Sequence, residues 1–168
     1  DKENNIWIGT RGGLTKLHFQ SEHYNDPVFT NFYKDADKQN SLSNNSVYDI
    51  LFDKENNLWV GTRYGLNLFL KTNEFKSWTE EKYFNDAIVY SIQDDEVGNL
   101  WLGTNNGVIR FNPKKERFTQ YGLKDGIQSK EFDIHAKFRD KAGNIYLGGT
   151  NGVTYFHPDN VEKIDNPI

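Results

Sequence analysis

The sequence predicts an all-β fold made of four-stranded antiparallel repeats, the blades of a β-propeller. Three features point to it. A ten-residue phrase occurs four times, at 5–14, 57–66, 99–108 and 144–153, and its central glycines Gly9, Gly61, Gly103 and Gly148 recur 42 to 52 residues apart. Spacing of that size marks a repeat architecture. Aromatic residues make up 15% of the chain, alongside 14 glycines, a composition suited to many short strands joined by tight turns. No window carries a sustained 3.6-residue apolar stripe, which disfavours a coiled coil or a helical solenoid.

The second repeat shows the elements in order. Val47, Tyr48, Ile50, Leu51 and Phe52 make a β-branched and aromatic strand over 47–53. Strands at 58–61 and 66–70 follow, and a weaker one at 75–79. The first hairpin turn is Asp53-x-x-Asn56-Asn57, with counterparts beginning at Asp1, Asp95 and Asp140. Asn and Gly accept the positive φ that tight hairpins need, and the Asp can accept hydrogen bonds from its own turn. Gly13, Gly65, Gly107 and Gly152 close the second hairpin and are predicted to have positive φ; the glycines of the phrase are read as turn formers. Four strands in about 45 residues make one propeller blade. The predicted propeller fragment is 1–157, with blades near 1–34, 46–80, 88–121 and 132–157; the first lacks its opening strand and the last has three strands. Residues 35–45 are predicted to be a long polar loop, and 158–168, with Pro158 and Pro167, an exit linker toward a following domain.

Bulk properties bound the possibilities. The 168 residues suit one domain. No apolar run approaches the roughly 18 residues of a membrane-spanning helix. The chain has no cysteine, which excludes disulfides and thiolate metal sites. A net charge of −4 argues against nucleic acid as a partner. The chain opens inside a repeat copy, so it is expected to be part of something longer. Blades are stabilised by their neighbours, and self-association of this piece is expected, for instance as a homodimer.

The pattern Asp-x-x-Gly/Asn-Asn-Leu/Ile-Trp-x-Gly-Thr-x-x-Gly-Leu/Val resembles the two-component regulator propeller repeat. The final copy, with Gly126, Ile127, Gln128, Ser129, Lys130, Glu131 and Phe132 ahead of Gly148–Val153 and Phe156-His157-Pro158, is similar to the last repeat of such propellers. Its departures are Tyr146 for Trp and Gly149 for Thr. The resemblance covers essentially the whole chain. It implies the periplasmic sensor region of a hybrid two-component histidine kinase of the Bacteroidetes type, binding an oligosaccharide and itself no enzyme, with no cofactor.

Trp7, Trp59, Trp101 and Tyr146 share one register, and that regularity favours packing between blades over a row of sugar-stacking rings. The Gly-Thr-x-x-Gly turns are followed by strands and lack the helix and Lys-Ser/Thr pair of a phosphate loop. The variable pair inside each turn is the better candidate for binding. Arg11, Arg63, Tyr64, Asn105, Asn106 and Asn151 are predicted to ring one mouth of the propeller, joined by segments 40–46, 82–87 and 124–129. Guanidinium groups suit carboxylate or sulfate, which tilts the expected ligand toward an acidic sugar. Amides and a phenol suit sugar hydroxyls and faces; the alternative for the same residues is a plain turn role. His18, His23, His135 and His157 have no metal-ligand spacing. His135 falls in register with Tyr48 and Tyr90 and is expected to be a packing position. Asp94-Asp95 and Glu80-Glu81 lie at turns, where solvation accounts for paired carboxylates. The competing functions are a polysaccharide lyase or hydrolase on a propeller, and a structural spacer with no ligand of its own.

Overall fold

Each hairpin is organised by one carboxylate. A computed structural model of the chain describes residues 1–20, 26–79 and 88–161. In the second repeat, Oδ1 of Asp53 accepts the backbone N–H groups of Glu55 and Asn57 at 3.0 and 2.8 Å. Its Oδ2 accepts the Asn57 amide at 2.9 Å and the Trp59 indole N–H at 2.8 Å. The same four-donor arrangement surrounds Asp1, where Trp7 donates at 2.7 Å, and Asp95, where Trp101 donates at 3.0 Å. At Asp140 the Tyr146 hydroxyl takes the place of the indole, at 3.1 Å. Tyr146 is therefore a replacement that keeps the donor. The turn residues Asn4, Asn56, Gly98 and Gly143 have φ of 58°, 65°, 85° and 89°, as the hairpin chemistry predicts.

Fourteen strands occur among the described residues. The first unit of the chain, Asp1–Asp86, holds two antiparallel sheets. One is β1 (Ile6–Thr10), β2 (Gly13–Phe19) and β3 (Pro27–Phe32); the other is β4 (Val47–Phe52), β5 (Leu58–Thr62), β6 (Gly65–Phe69) and β7 (Phe75–Trp78), each in sequential order. The second unit, Ala87–Ile168, has the same plan. Its first sheet is β8 (Val89–Asp94), β9 (Leu100–Thr104), β10 (Gly107–Asn112) and β11 (Arg117–Tyr121); its second is β12 (Phe132–Arg139), β13 (Ile145–Gly149) and β14 (Gly152–Phe156). No α-helix occurs among the described residues, and none is long and apolar enough to cross a membrane. The all-β fold of four-stranded blades is as the repeat predicts.

Within each unit the two sheets pack face to face. In the first, Leu14 and Phe32 of one sheet share a core with Val47, Leu58, Val60 and Phe75 of the other. Trp7 reaches across, its ring centroid 4.8 Å from that of Phe69. In the second unit Trp101, Val108 and Tyr121 meet Phe132, Ile145 and Leu147, and Trp101 lies 4.7 Å from Phe156. Trp7 and Trp101 thus pack between sheets, as their register suggests. Trp59 stacks on Trp78 of its own sheet at 5.7 Å.

The central glycines act differently from the expected turn role. A Cβ on Gly9 would lie 2.5 Å from Cγ1 of Val47, and one on Gly103 would lie 2.5 Å from Oγ of Ser91 and 3.3 Å from Cβ of Phe132. Gly9 is bare where the next sheet's first strand closes on it, and Gly103 is bare where Ser91 of its own sheet and Phe132 of the next both approach.

One further reading changes, at His135, and two segments gain detail. The 35–45 run is tied down: Leu42 is fully buried, Asn40 accepts from the Phe75 N–H at 2.8 Å, and Ser43 accepts from Asn67 and pairs with Thr62. His135 is exposed, with φ of 60°, inside the irregular stretch of β12 between Phe132 and Lys137, so the bulge turns it outward and it is no core packing residue. The start of the exit segment is a single 3-10 turn, Pro158–Asn160, capped by His157, and Val161 packs on the second unit's core. His23, Glu80, Glu81, segment 82–87 and residues 162–168 lie outside the described residues.

Gly149 has its own cause. In the other copies Thr10, Thr62 and Thr104 bond across the turn to the carbonyls of Gly13, Gly65 and Gly107. A side chain at 149 would sit 2.5 Å from the Glu131 carbonyl. The hydroxyl moves one residue on, and Thr150 meets Ser129 at 2.8 Å where Thr62 meets Ser43 at 2.9 Å.

Two outcomes follow for stability. Asp95→Ala removes four charge-assisted acceptor contacts and orphans a buried indole N–H, and urea denaturation is expected to show the second unit destabilised by ~3 kcal/mol. The Asn144 amide bond, with the other turn donors, holds the Asp140 carboxyl below its ordinary range despite the opposing cost of burial. A depressed folded-state pKa gives stability that is present above the unfolded carboxylate pKa and lost as pH falls through the folded one. Acid titration of the Asp140→Asn variant should show a smaller loss of stability below the ordinary carboxylate range than the parent chain.

Candidate functional site

The turn geometry distributes the predicted site residues. Arg11, Arg63 and Tyr64 belong to the first unit, and Asn105, Asn106 and Asn151 to the second. Arg11 and Arg63 are exposed, and neither guanidinium has a hydrogen bond or ion pair among the described residues. The backbone N–H of Arg63 donates to the Ser46 carbonyl at 3.0 Å, which fixes the turn against the 40–46 segment. Tyr64 donates its N–H to Thr62 Oγ1 at 3.0 Å, leaving a phenol ring that is 46% exposed.

The asparagines divide. Asn105 Oδ1 accepts the Ile88 N–H at 2.7 Å, so this amide is committed to holding the chain as it enters β8. Asn106 engages through its backbone, its N–H on Thr104 and its carbonyl accepting from Gln120. Asn151 is exposed at the β13–β14 turn.

Tyr64 opens on a cleft of about 490 Å³ in the first unit, lined also by Lys34, Gln39, Asn40, Ser41, Lys76 and Ser77. Across the 39–41 segment lies a second hollow of about 560 Å³, where Tyr33, Asp35 and Lys38 join Gln39 and Asn40. The walls are amides, hydroxyls, ammonium groups and two exposed phenol rings, with the carboxylates of Asp35 and Glu74 on the second hollow and Phe75 as an apolar floor common to both. Arg11 and Arg63 do not line either hollow. Clefts of this volume are of ligand size. Hydrogen bonds hold the segment: the Ser41 hydroxyl donates to the Asp35 carbonyl at 2.9 Å, and the Phe75 N–H donates to the Asn40 carbonyl at 2.8 Å.

Sequence reasoning placed 40–46 at the predicted mouth but singled out none of Gln39, Asn40 and Ser41, because 35–45 reads as a uniformly polar loop. The one available signal was Leu42, an aliphatic side chain in a polar run, which anchors the segment. In the second unit a smaller hollow of about 100 Å³ lies between Tyr121, Asp125, Ile127 and Thr154, part of the 124–129 segment. The Tyr121 hydroxyl is buried there without a partner among the described residues, and burial pushes its pKa up against the pull of Arg110. No group of three His, Asp or Glu able to hold a metal ion occurs among the described residues.

The two-component regulator propeller family model matches residues 41–64 and 83–106, so these segments are repeats of that type. No curated protein matches the chain. Over 97% of its length the chain superposes, at 22% identity and a TM-score of 0.70, on a structure described as the extracellular domain of a hybrid two component system from B. thetaiotaomicron, and it spans 21% of that protein. It also superposes on PorZ, a surface component of the type-IX secretion system of Porphyromonas gingivalis, with a TM-score of 0.69 and 12% identity over 88% of this chain and 22% of that one. Virginiamycin B lyase from Staphylococcus aureus gives a TM-score of 0.58 and 11% identity over 90% of this chain and 51% of that one. At these identities the likeness is one of fold.

The two kinds of asparagine can be separated by stability. Asn105→Ala strands the Ile88 N–H and should lower the unfolding free energy by about 1 kcal/mol, whereas Asn151→Ala should leave it unchanged in the same denaturant titration.

Proposed function

We propose that this chain is part of an extracytoplasmic ligand-sensing propeller of a two-component signalling protein, and that its ligand is an oligosaccharide carrying acidic groups. The observation that carries the proposal is the Tyr64 cleft. An exposed ring provides a face for a pyranose, Gln39, Asn40 and Ser41 supply donors and acceptors for hydroxyls, and Lys34 and Lys76 supply positive charge. The family match at 41–64 includes the turn that presents Tyr64, and a sensor ectodomain is among the folds that the chain resembles. The location that goes with this proposal is the periplasm, as the external portion of an inner-membrane protein.

Binding alone does not signal. A ligand shifts a sensor only by the difference in its affinity for the two arrangements of that sensor. Ligand held in the cleft would signal by preferring one arrangement of the sensor over the other.

Calorimetric titration with a uronic-acid oligosaccharide and its neutral counterpart tests the proposal. The acidic sugar should bind more tightly, with an affinity that falls as salt rises. Tyr64→Ala should weaken it by about tenfold, a loss of ~1.4 kcal/mol. Arg11→Ala with Arg63→Ala should have a smaller effect, since neither residue lines the cleft. Affinity untouched by Tyr64→Ala would leave the spacer reading in its place, and release of shortened or unsaturated sugar products would move the chain to the lyase or hydrolase reading.

A further inference from the structure

The hollow under Tyr121 marks a place where the second unit packs differently from the first. Tyr121 pairs with Val108 across its ladder as Phe32 pairs with Leu14. Phe156 lies 4.7 Å from Trp101, as Phe69 lies 4.8 Å from Trp7. In the first unit β7 then brings Phe75 onto both rings, 5.8 Å from Phe32 and 5.4 Å from Phe69. The β12–β14 sheet has three strands, and after Phe156 the chain turns through Pro158–Asn160. Ile127 and Val161 pack on the core there, and a hollow of about 100 Å³ is left among them.

This hollow lies between two sheets and not on an outer face. Thr154 is buried and Phe156 half-buried, alternating along β14 with the exposed Val153 and Tyr155. The inward pair lines the hollow opposite Trp101, Val108 and Tyr121, which are all buried.

Tyr121 differs from Phe32 by a hydroxyl that ring packing does not need. That hydroxyl is buried without a partner among the described residues. A buried unpaired hydroxyl opposes folding and calls for a partner, and phenylalanine fills the same register in the first unit without one. Burial raises the phenol's pKa, Arg110 pulls against that, and the nearby Asp125 charge adds to it, so the group is a neutral donor. Asp125 lines the same hollow and already accepts the Gly122 N–H at 2.7 Å through Oδ2. A carboxylate has capacity for further donors.

We infer that this hollow is a binding site for a compact neutral molecule, one six-membered ring in size, whose hydroxyl group meets Tyr121 and Asp125. A hydroxyl accepts from a phenol and donates to a carboxylate at the same time. A hydrocarbon satisfies neither group, and an anion brings no proton to Asp125. The volume admits one small ring, and Ile127, Phe156 and Val161 offer it apolar walls. The site belongs to the other unit from the Tyr64 cleft, so neither reading depends on the other.

Phenol and toluene test the site, because they share a ring and differ by hydroxyl against methyl. With ¹⁵N-labelled tryptophan, the four indole N–H groups of the chain report separately. Phenol is expected to shift the Trp101 resonance saturably and to leave Trp59 and Trp78 in place. Toluene should bind about tenfold more weakly. Tyr121→Phe keeps the ring, as the first unit does at Phe32. It should bring phenol down to the affinity of toluene and leave toluene binding unchanged, which also shows that the variant is folded. Equal affinities in the parent chain, a phenol shift shared by all four indoles, or a phenol preference that survives Tyr121→Phe would each overturn the site. So would the absence of a saturable shift, the result expected of a hydroxyl served by water alone.

Discussion

One carboxylate per hairpin does the positioning on which everything else in this protein depends. Its two oxygens take four donors: two backbone N–H groups, the Asn amide and the ring donor of the next strand. That set fixes the turn and the entry of the second strand, and it orients the aromatic ring at the sheet surface. Because the ring is held, the glycine two residues on lies at a defined depth, and the neighbouring sheet's first strand can close over it. Hydrophobic burial supplies the larger part of the stabilisation. The carboxylate decides where the burying surface stands, and it does so with charge-assisted bonds that leave no buried indole N–H unsatisfied.

Much of the fold was legible because the repeat gives it four times. The Asp-x-x-Asn/Gly-Asn turn, its positive φ and the strands on either side follow from local chemistry at Asn4, Asn56, Gly98 and Gly143. What stayed hidden depends on particular side-chain contacts and on segments that the fold brings together. The link from Asp53 to the Trp59 indole spans six residues and could not be inferred from strand alternation. The role of Gly9 is visible only once Val47, far along the chain, is placed against it. His135 shares a register with Tyr48 and Tyr90, but a longer irregularity in β12 changes where it points. Register predicts a face only while the ladder is regular.

The candidate site shows the same division. Variability inside a fixed turn led to Tyr64, whose backbone serves the turn and whose side chain lines the cleft. It was a poor guide to Asn105, because an amide that caps the N–H of Ile88 looks in sequence like one offered to a ligand. The 40–46 segment was expected at the mouth, but its hydrogen-bonded placement was not legible in a polar run. Hydrogen bonds from Asn67 and to Thr62, together with the burial of Leu42, turn that polar run into a fitted part.

The displaced hydroxyl of the last repeat carries a lesson about inheritance. Ser129 stands three residues before β12 where Ser43 stands four before β4, and the shorter approach brings a carbonyl onto position 149. Threonine is lost there and regained next door, so what persists between the copies is a bond between two hydroxyls rather than a letter in a column. A profile that scores columns sees two substitutions, and the matched segments here stop at residue 106, short of that copy. Tallying blades in chains of this kind is better done by asking which hydroxyl closes each turn, because that question tolerates the insertions and slips by which repeats grow apart.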